Sequence, residues 1–396
     1  MPSGTRARHG AAPFPLLVAI TACGTLGMHL IIPALPATAR ALAVSAGTIQ
    51  LTITLYLVGL AIGQLAYGPV SDRFGRRPVL LAGLSLFTCA GAATALAPSA
   101  SLLIVARIMQ SLGGCAGLVL GRAMVRDAAE GDRAAAQLAL LTLVMAMAPA
   151  GAPVLGGYTV AWFGWRAAFG LLALIGATTT LLAAWRLPET GRRSATGGAG
   201  AMVRASLRLL RSRAFRGYAV GGACTTTSFY AFMSASPFIF TNLLHQTPQR
   251  IGLYYMGLMV GLAAGGFSAN RLAGRVAAAR VLLGANLVSM AAACLFLLAW
   301  ATGTLSVATV VGSIALFMMG AGIASPFALT AAISVNPNAI GAASGLYGCV
   351  QMSYGALCTV IVASLNPGSV LTVGAVLLGS TLVGRVALMT AIRTRG

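Results

Sequence analysis

Residues 68–78 read GPVSDRFGRRP. The run follows one long apolar segment, 46–67, and precedes another, 79–98. An acid, a turn glycine and three arginines crowded into the short link between two membrane-length stretches form a gate-like arrangement. Working outward from it, the composition gives the setting: 58% of the 396 residues are hydrophobic and only 8% are charged, against about a quarter charged in soluble domains. The chain reads as an integral membrane protein.

Crossing a bilayer core takes about 20 apolar residues in a helix. Twelve stretches qualify: 14–36, 46–68, 79–98, 101–124, 136–161, 167–187, 217–240, 251–270, 281–301, 304–330, 339–364 and 369–391. The predicted fold class is therefore an all-α membrane protein of twelve transmembrane helices. All 26 basic residues are Arg, and they are unevenly placed. Arg40, Arg166 and Arg250 fall in one set of links and Arg107 lies inside the fourth span, while all the others sit in the tail, the alternate links and the C-terminus, or at the helix ends beside them. That asymmetry follows the positive-inside rule and places both termini in the cytoplasm. The net charge of +21 is thereby explained by topology rather than by nucleic-acid binding.

RARHG followed by an apolar run could be mistaken for a secretory signal, but 14–32 exceeds a signal core, and its removal would break the charge alternation. The seven cysteines all lie in apolar spans, so no disulfide framework is expected. No Cys/His cluster has metal spacing, and no catalytic triad or phosphate loop is present. No catalytic residue, metal or cofactor is expected.

The longest polar stretch, about 188–216, divides the spans six and six. The organisation expected is an N-terminal bundle over 1–190, a cytoplasmic linker over 191–216 and a C-terminal bundle over 217–396. Within the linker, MVRASLRLLRSRAFRGY reads either as a basic amphipathic helix on the membrane face or as plain linker. A shift of 198 residues sets Gly68 on Gly266, Asp72 on Asn270, Arg73 on Arg271 and Arg77 on Arg275. The second half keeps a worn copy of the link, which supports two pseudo-symmetric six-helix bundles with a substrate site at the midplane between them.

YGPVSDRFGRRPVLLAG at 67–83, ARIMQSLGG at 106–114 and APAGAPVLGG at 148–157 resemble motifs of the major facilitator superfamily, and within it of the bicyclomycin/chloramphenicol-resistance branch of drug:proton antiporters. YGPVSDRFGRRPVLLAG at 67–83 is similar to that family's link between helices two and three. Gly68 would permit close helix approach and Gly75 the turn. The resemblance gives Asp72 the cap of a helix start in the other half and Arg76 the latch, with Arg73 and Arg77 beside it. ARIMQSLGG at 106–114 contains Arg107 and Gln110; in the family such an Arg helps control protonation of a nearby carboxylate and can meet substrate. Snorkelling of Arg107 to headgroups is the alternative. APAGAPVLGG at 148–157, with Pro149, Pro153, Gly151, Gly156 and Gly157, resembles the antiporter motif of drug exporters. RAMVRD (122–127), GWRAAF (164–169), LPET (187–190), SASPFIF (234–240) and GAASGLYGCVQ (341–351) fit the same branch.

One position departs from the pattern. Where the branch carries its proton-coupling acid, four residues before the PALP turn at 33–36, this chain has His29, and all five acids lie in links or at helix ends. Histidine itself binds protons near neutrality, so His29 is a candidate carrier or substrate contact; the alternative is a neutral, hydrogen-bonded His in a differently coupled or uncoupled protein. A cavity with His29 and Arg107 but no fixed negative charge disfavours lipophilic cations. The expectation is export of small neutral or weakly anionic amphipathic compounds by a monomer in the bacterial inner membrane, with protons and the lipid bilayer as its other partners and the proton gradient as energy source. A facilitator or importer of a small metabolite on the same fold is the alternative. Cavity candidates are Tyr56, Gln64, Tyr230, Ser234, Gln351 and Tyr354.

Overall fold

Proline placement shapes the first span. In the computed structural model, which describes residues 13–128, 131–190 and 199–394, α1 (Phe14–His29) stops at His29, a 3-10 turn covers Ile32–Ala34, and α2 (Leu35–Ala41) resumes the span. Pro33 and Pro36 lack amide donors, so each is tolerated only where a helix starts again. The span therefore runs to Ala41 rather than ending at 36, and His29 marks its break.

The N-terminal half continues with α3 (Ala46–Phe74), α4 (Arg76–Ala95), α5 (Ala100–Ala128), α6 (Gly131–Phe163) and α7 (Trp165–Arg186). After it come α8 (Ala199–Arg211), α9 (Arg213–Thr226), α10 (Phe229–Phe238), α11 (Pro248–Leu272), α12 (Ala278–Ala301), α13 (Val307–Ile333), α14 (Ile340–Leu365) and α15 (Val370–Arg393). Among the described residues eleven spans, counting α1 with α2 as one, are long and apolar enough to cross a membrane. The seventh, expected over 217–240, is divided into α9 and α10. Its cause is local: the hydroxyls of Thr225, Thr226, Thr227 and Ser228 each donate to the carbonyl four residues earlier, at 2.9, 2.7, 2.8 and 2.7 Å. Such back-bonding competes with the helical ladder and bends it. The next amides, of Tyr230 and Ala231, then reach only three residues back.

The same 198-residue shift that aligns the two links sets His29 on Thr227, the residue that caps α9. Both halves thus open with a span broken at the equivalent place. Their packing repeats as well. In the first half α5 lies against α1, α3 and α4; in the second α13 lies against α9, α11 and α12. The halves meet along two seams, α3 with α14 and α6 with α11.

The α3–α14 seam is antiparallel and long. Gly47 lies against the Ala363 carbonyl, Thr54 Oγ1 donates to Thr359 Oγ1 at 2.8 Å, and Gly348 lies against the Gln64 side chain. In the α6–α11 seam, Gly157 lies against the Pro248 backbone and Gly252 against Pro153 and Val154. Those close approaches cluster at the end of the bundle away from most arginines.

Between the halves, Ser212 ends α8 and caps α9 by accepting from the Phe215 amide at 3.3 Å. The basic amphipathic stretch is therefore divided between two helices, and residues 213–216 of the expected linker form the start of α9. Residues 191–198 of the expected linker lie outside the described residues.

Candidate functional site

The link at 68–78 is built around a turn that only glycine adopts easily: Gly75 has φ +100°, ending α3 and launching α4. A side chain there would also collide with Glu189, whose carboxylate fills the space. Glu189 Oε1 accepts from the Arg76 amide at 3.0 Å and from the Arg77 amide at 3.3 Å. A carboxylate on free amides at a helix start is favourable both as a cap and against the helix dipole. Arg77 Nη2 donates to the Ala184 carbonyl at 2.7 Å, tying the same link to the end of α7.

Arg76 gathers the remaining charges. Its Nη2 pairs with Asp72 at 3.0 Å, its Nε with Asp127 at the end of α5 at 3.3 Å, and its Nη1 donates to Ser71 at 2.6 Å. Arg76 pairs with Asp72, but the cap across the halves assigned to Asp72 is not made. Asp72 is half exposed and paired within its own link, and the α14 start at Ala339 has no side-chain cap. The acid is satisfied by the arginine one turn away, so it has no reason to cross. Gly68 also departs from expectation, since nothing lies within 4 Å of where its side chain would be. Arg73 stacks on Phe74, 5.3 Å from ring centroid. In the matching link of the second half, Arg271 stacks on Phe267 at 4.5 Å. Removing Glu189 tests the cap: Glu189→Ala should destabilise the first half by about 1 kcal/mol, read as a lower unfolding temperature in detergent.

Deeper in the first half, Arg107 on α5 is completely buried, which excludes snorkelling. Its Nη1 donates to Gln110 Oε1 at 2.6 Å, one turn along the helix, and its guanidinium lies 4.2 Å from the Tyr56 ring centroid and 6.0 Å from that of Phe169. Tyr56 is held in place by donating to the Gly24 carbonyl at 2.8 Å. Nε and Nη2 of Arg107 and Nε2 of Gln110 have no partner. A buried cation without a carboxylate partner is costly in a membrane span. His29, also buried, places Nδ1 2.9 Å from the Thr25 carbonyl. A carbonyl only accepts, so Nδ1 carries the proton there and Nε2 holds the free lone pair in the neutral ring.

The antiporter-like run lies on α6 directly against this break. Gly156 faces the Leu30 carbonyl, the residue after His29, so closely that any side chain would overlap it. Gly151 faces open space. Pro149 and Pro153 lie inside α6 without ending it.

Clefts open on the surface of the described residues. One of about 620 Å³ lies between α9 and α15, and one of about 400 Å³ lies between α3 and α4. Neither is the midplane pocket expected between the halves, where the Tyr230 ring sits beside Gly355 and Leu57.

The model of the major facilitator superfamily matches residues 17–359. The chain belongs to the major facilitator superfamily. It is 32% identical over 377 residues to an uncharacterized MFS-type transporter, YdgK, of Bacillus subtilis (strain 168), covering 94% of this chain and 93% of that one. It is 28% identical over 346 residues to a bicyclomycin resistance protein homolog of Haemophilus influenzae, covering 86% of each. A crystal structure of a D-xylose-proton symporter superposes with a TM-score of 0.72 at 16% identity, over 93% of this chain and 96% of that one. That last likeness concerns the fold alone.

Against this superfamily frame the remaining candidates divide. Gln351 Nε2 donates to Thr226 Oγ1 at 2.8 Å, joining α14 to the break after α9. Tyr354 donates to Ser380 at 2.9 Å, joining α14 to α15. Ser234 bonds back to the Ala231 carbonyl of its own helix at 3.0 Å. Gln351 and Tyr354 thus tie helices together within the second bundle, whereas Tyr56 belongs to the Arg107 cluster and Gln64 to the α3–α14 seam. The sequence reading passed over two residues, Glu189 as a cap and Gln50. Gln50 on α3 is fully buried with both amide atoms unpartnered. An amide among apolar neighbours was its only visible signal.

Proposed function

We propose that this superfamily member is a multidrug efflux transporter of the bacterial inner membrane that exports small neutral or weakly anionic amphipathic compounds by proton antiport with alternating access. The observation that carries the reading is the pair of broken spans at equivalent positions of the two halves, one ending at His29 and the other at Thr227. Interrupted helices in corresponding positions are the strongest pointer to a transporter's substrate site. The Gly156 contact with the His29 break links the antiporter-like run to that site. The resistance-protein relative supports drugs as the substrates. Arginine asymmetry supports cytoplasmic termini.

In this cycle the cavity holds His29 as the titratable group and Arg107 as a fixed cation. An inward-moving proton occupies Nε2 of His29, and its release to the cytoplasm accompanies return of the empty carrier. Arg76, bonded to Asp72, Ser71 and Asp127, steadies the cytoplasmic link while the halves rock.

The test is transport in proteoliposomes with an imposed pH gradient. His29→Ala should lose uphill, gradient-driven export but retain exchange of labelled for unlabelled drug; His29→Asp should restore gradient-driven export. Uphill export by His29→Ala would remove His29 from the coupling scheme. The absence of a carboxylate within the spans favours a facilitator as the second reading. It would be supported if the wild type equilibrated substrate but never accumulated it.

A further inference from the structure

The cleft of about 620 Å³ between α9 and α15 is lined by Arg213, Arg216 and Arg393, with Gly217, Val220 and Ala387 among its other walls. Gly217 lets α9 lie directly against Ala387 and Ala391, and this contact forms the floor. Thr390 and Thr394 complete the lining, but their hydroxyls already donate to carbonyls of their own helix, at 2.8 Å to Ala387 and 2.9 Å to Ala391. The free donors in the cleft are therefore the three guanidinium groups.

Their charge has no counterpart in this half of the protein. From Thr190 to the C-terminus the sequence contains fourteen arginines and no Asp or Glu. Both ion pairs among the described residues belong to Arg76 in the other half. Among the described residues no carboxylate pairs with this face. A second feature lies beside it. Helix α8, joined to α9 through Ser212, leaves Val203, Leu207 and Leu210 exposed along one stripe, while Arg204, Arg208 and Arg211 run along the adjoining stripe and Leu209 is buried against the bundle. A helix with an exposed apolar stripe bordered by arginines lies in the boundary between headgroups and acyl chains. That depth puts the cleft mouth at the level of lipid phosphates, with apolar Val220 and Ala387 in its wall.

We propose that this cleft is a binding site for the headgroup of an anionic phospholipid of the cytoplasmic leaflet. The phosphodiester sits among the guanidinium groups of Arg213, Arg216 and Arg393, and an acyl chain follows the groove between α9 and α15. Basic pockets between membrane helices on the cytoplasmic side suit this ligand, with each arginine contributing on the order of 1 kcal/mol. The lipid supplies the negative charge that the second half lacks, and it fastens the first helix of that half to its last.

The test uses the full-length protein in a neutral detergent, titrated with phosphatidylglycerol, phosphatidylcholine or inorganic phosphate while the unfolding temperature is followed. Phosphatidylglycerol should raise it saturably and the other two should not. Substituting all three cleft arginines by Gln should weaken the half-saturating concentration of phosphatidylglycerol by about a hundredfold. A variant with Arg271→Gln, Arg275→Gln and Arg280→Gln removes the same charge elsewhere and should behave as the wild type. Arg393→Gln alone, one turn from the chain end, should give a partial loss and serves if the triple variant does not fold. Equal losses in the two triple variants would reduce the effect to net charge and overturn the proposal. A shift with inorganic phosphate as large as that with phosphatidylglycerol would make the cleft a free-anion site and overturn it equally.

Discussion

Replacing Arg107 by Met should abolish drug export with little net change in stability. The guanidinium is fully buried, two of its nitrogens have no partner, and no carboxylate lies within the spans. Exchanging a buried ionic group for an apolar one of similar volume is often neutral or stabilising, by about 1–4 kcal/mol. Against this stands the loss of the Gln110 hydrogen bond and of stacking on Tyr56, together about 2–4 kcal/mol if fully desolvated. A packing residue would show parallel losses of stability and activity. A residue kept for function shows them separated. Arg107→Lys retains the charge but cannot both reach Gln110 and lie flat on Tyr56, so export should fall at least about tenfold. Resistance of an efflux-deficient host and unfolding temperature in detergent measure the two quantities. Undiminished resistance in Arg107→Met would make the arginine a structural relic.

Gly156→Ala should cripple the transporter, whereas Gly151→Ala, five residues earlier in the same run, should leave it intact. The opposing atom at Gly156 is the Leu30 carbonyl oxygen, part of the backbone, and it cannot swing away as a side chain would. Even one methyl group would push α6 off the break in the first span. Overpacking costs about 1–3 kcal/mol, and here it also displaces the segment that carries His29. Gly151 has nothing within 4 Å, and Ala is the better helix former by about 1 kcal/mol. Membrane expression and resistance of the two variants decide the matter. If both behave alike, the Gly156 contact is not what the run provides.

Eleven of the twelve expected spans qualify among the described residues, and they were legible because hydrophobic length is a local property. So was the Arg107–Gln110 pair, whose spacing of three places both side chains on one helix face. The division of the seventh span was also encoded locally, in Thr225–Ser228, but hydropathy does not register hydroxyls that bond back to their own helix. Long-range geometry was less accessible. Glu189 caps a helix that starts more than a hundred residues earlier, and LPET alone shows only an acid after an apolar run. Tyr56 was read as a cavity wall because an aromatic polar residue in a span fits that description equally well; its place under a guanidinium depends on how α3 meets α5. For Asp72, the resemblance implied a contact across the halves, and the arginine one turn away satisfies the carboxylate instead.

The two matching links are held by different forces. In the first, Arg76 joins two carboxylates; in the second, Asn270 stands where Asp72 would be, and Arg271 rests on the Phe267 ring. Dissolved salt weakens exposed ion pairs over a Debye length of about 8 Å at physiological strength, but acts far less on a cation seated on an aromatic face. The two links therefore answer differently to dissolved salt: rising ionic strength loosens the ion pairs inside the first half and leaves the aromatic contact of the second almost unchanged.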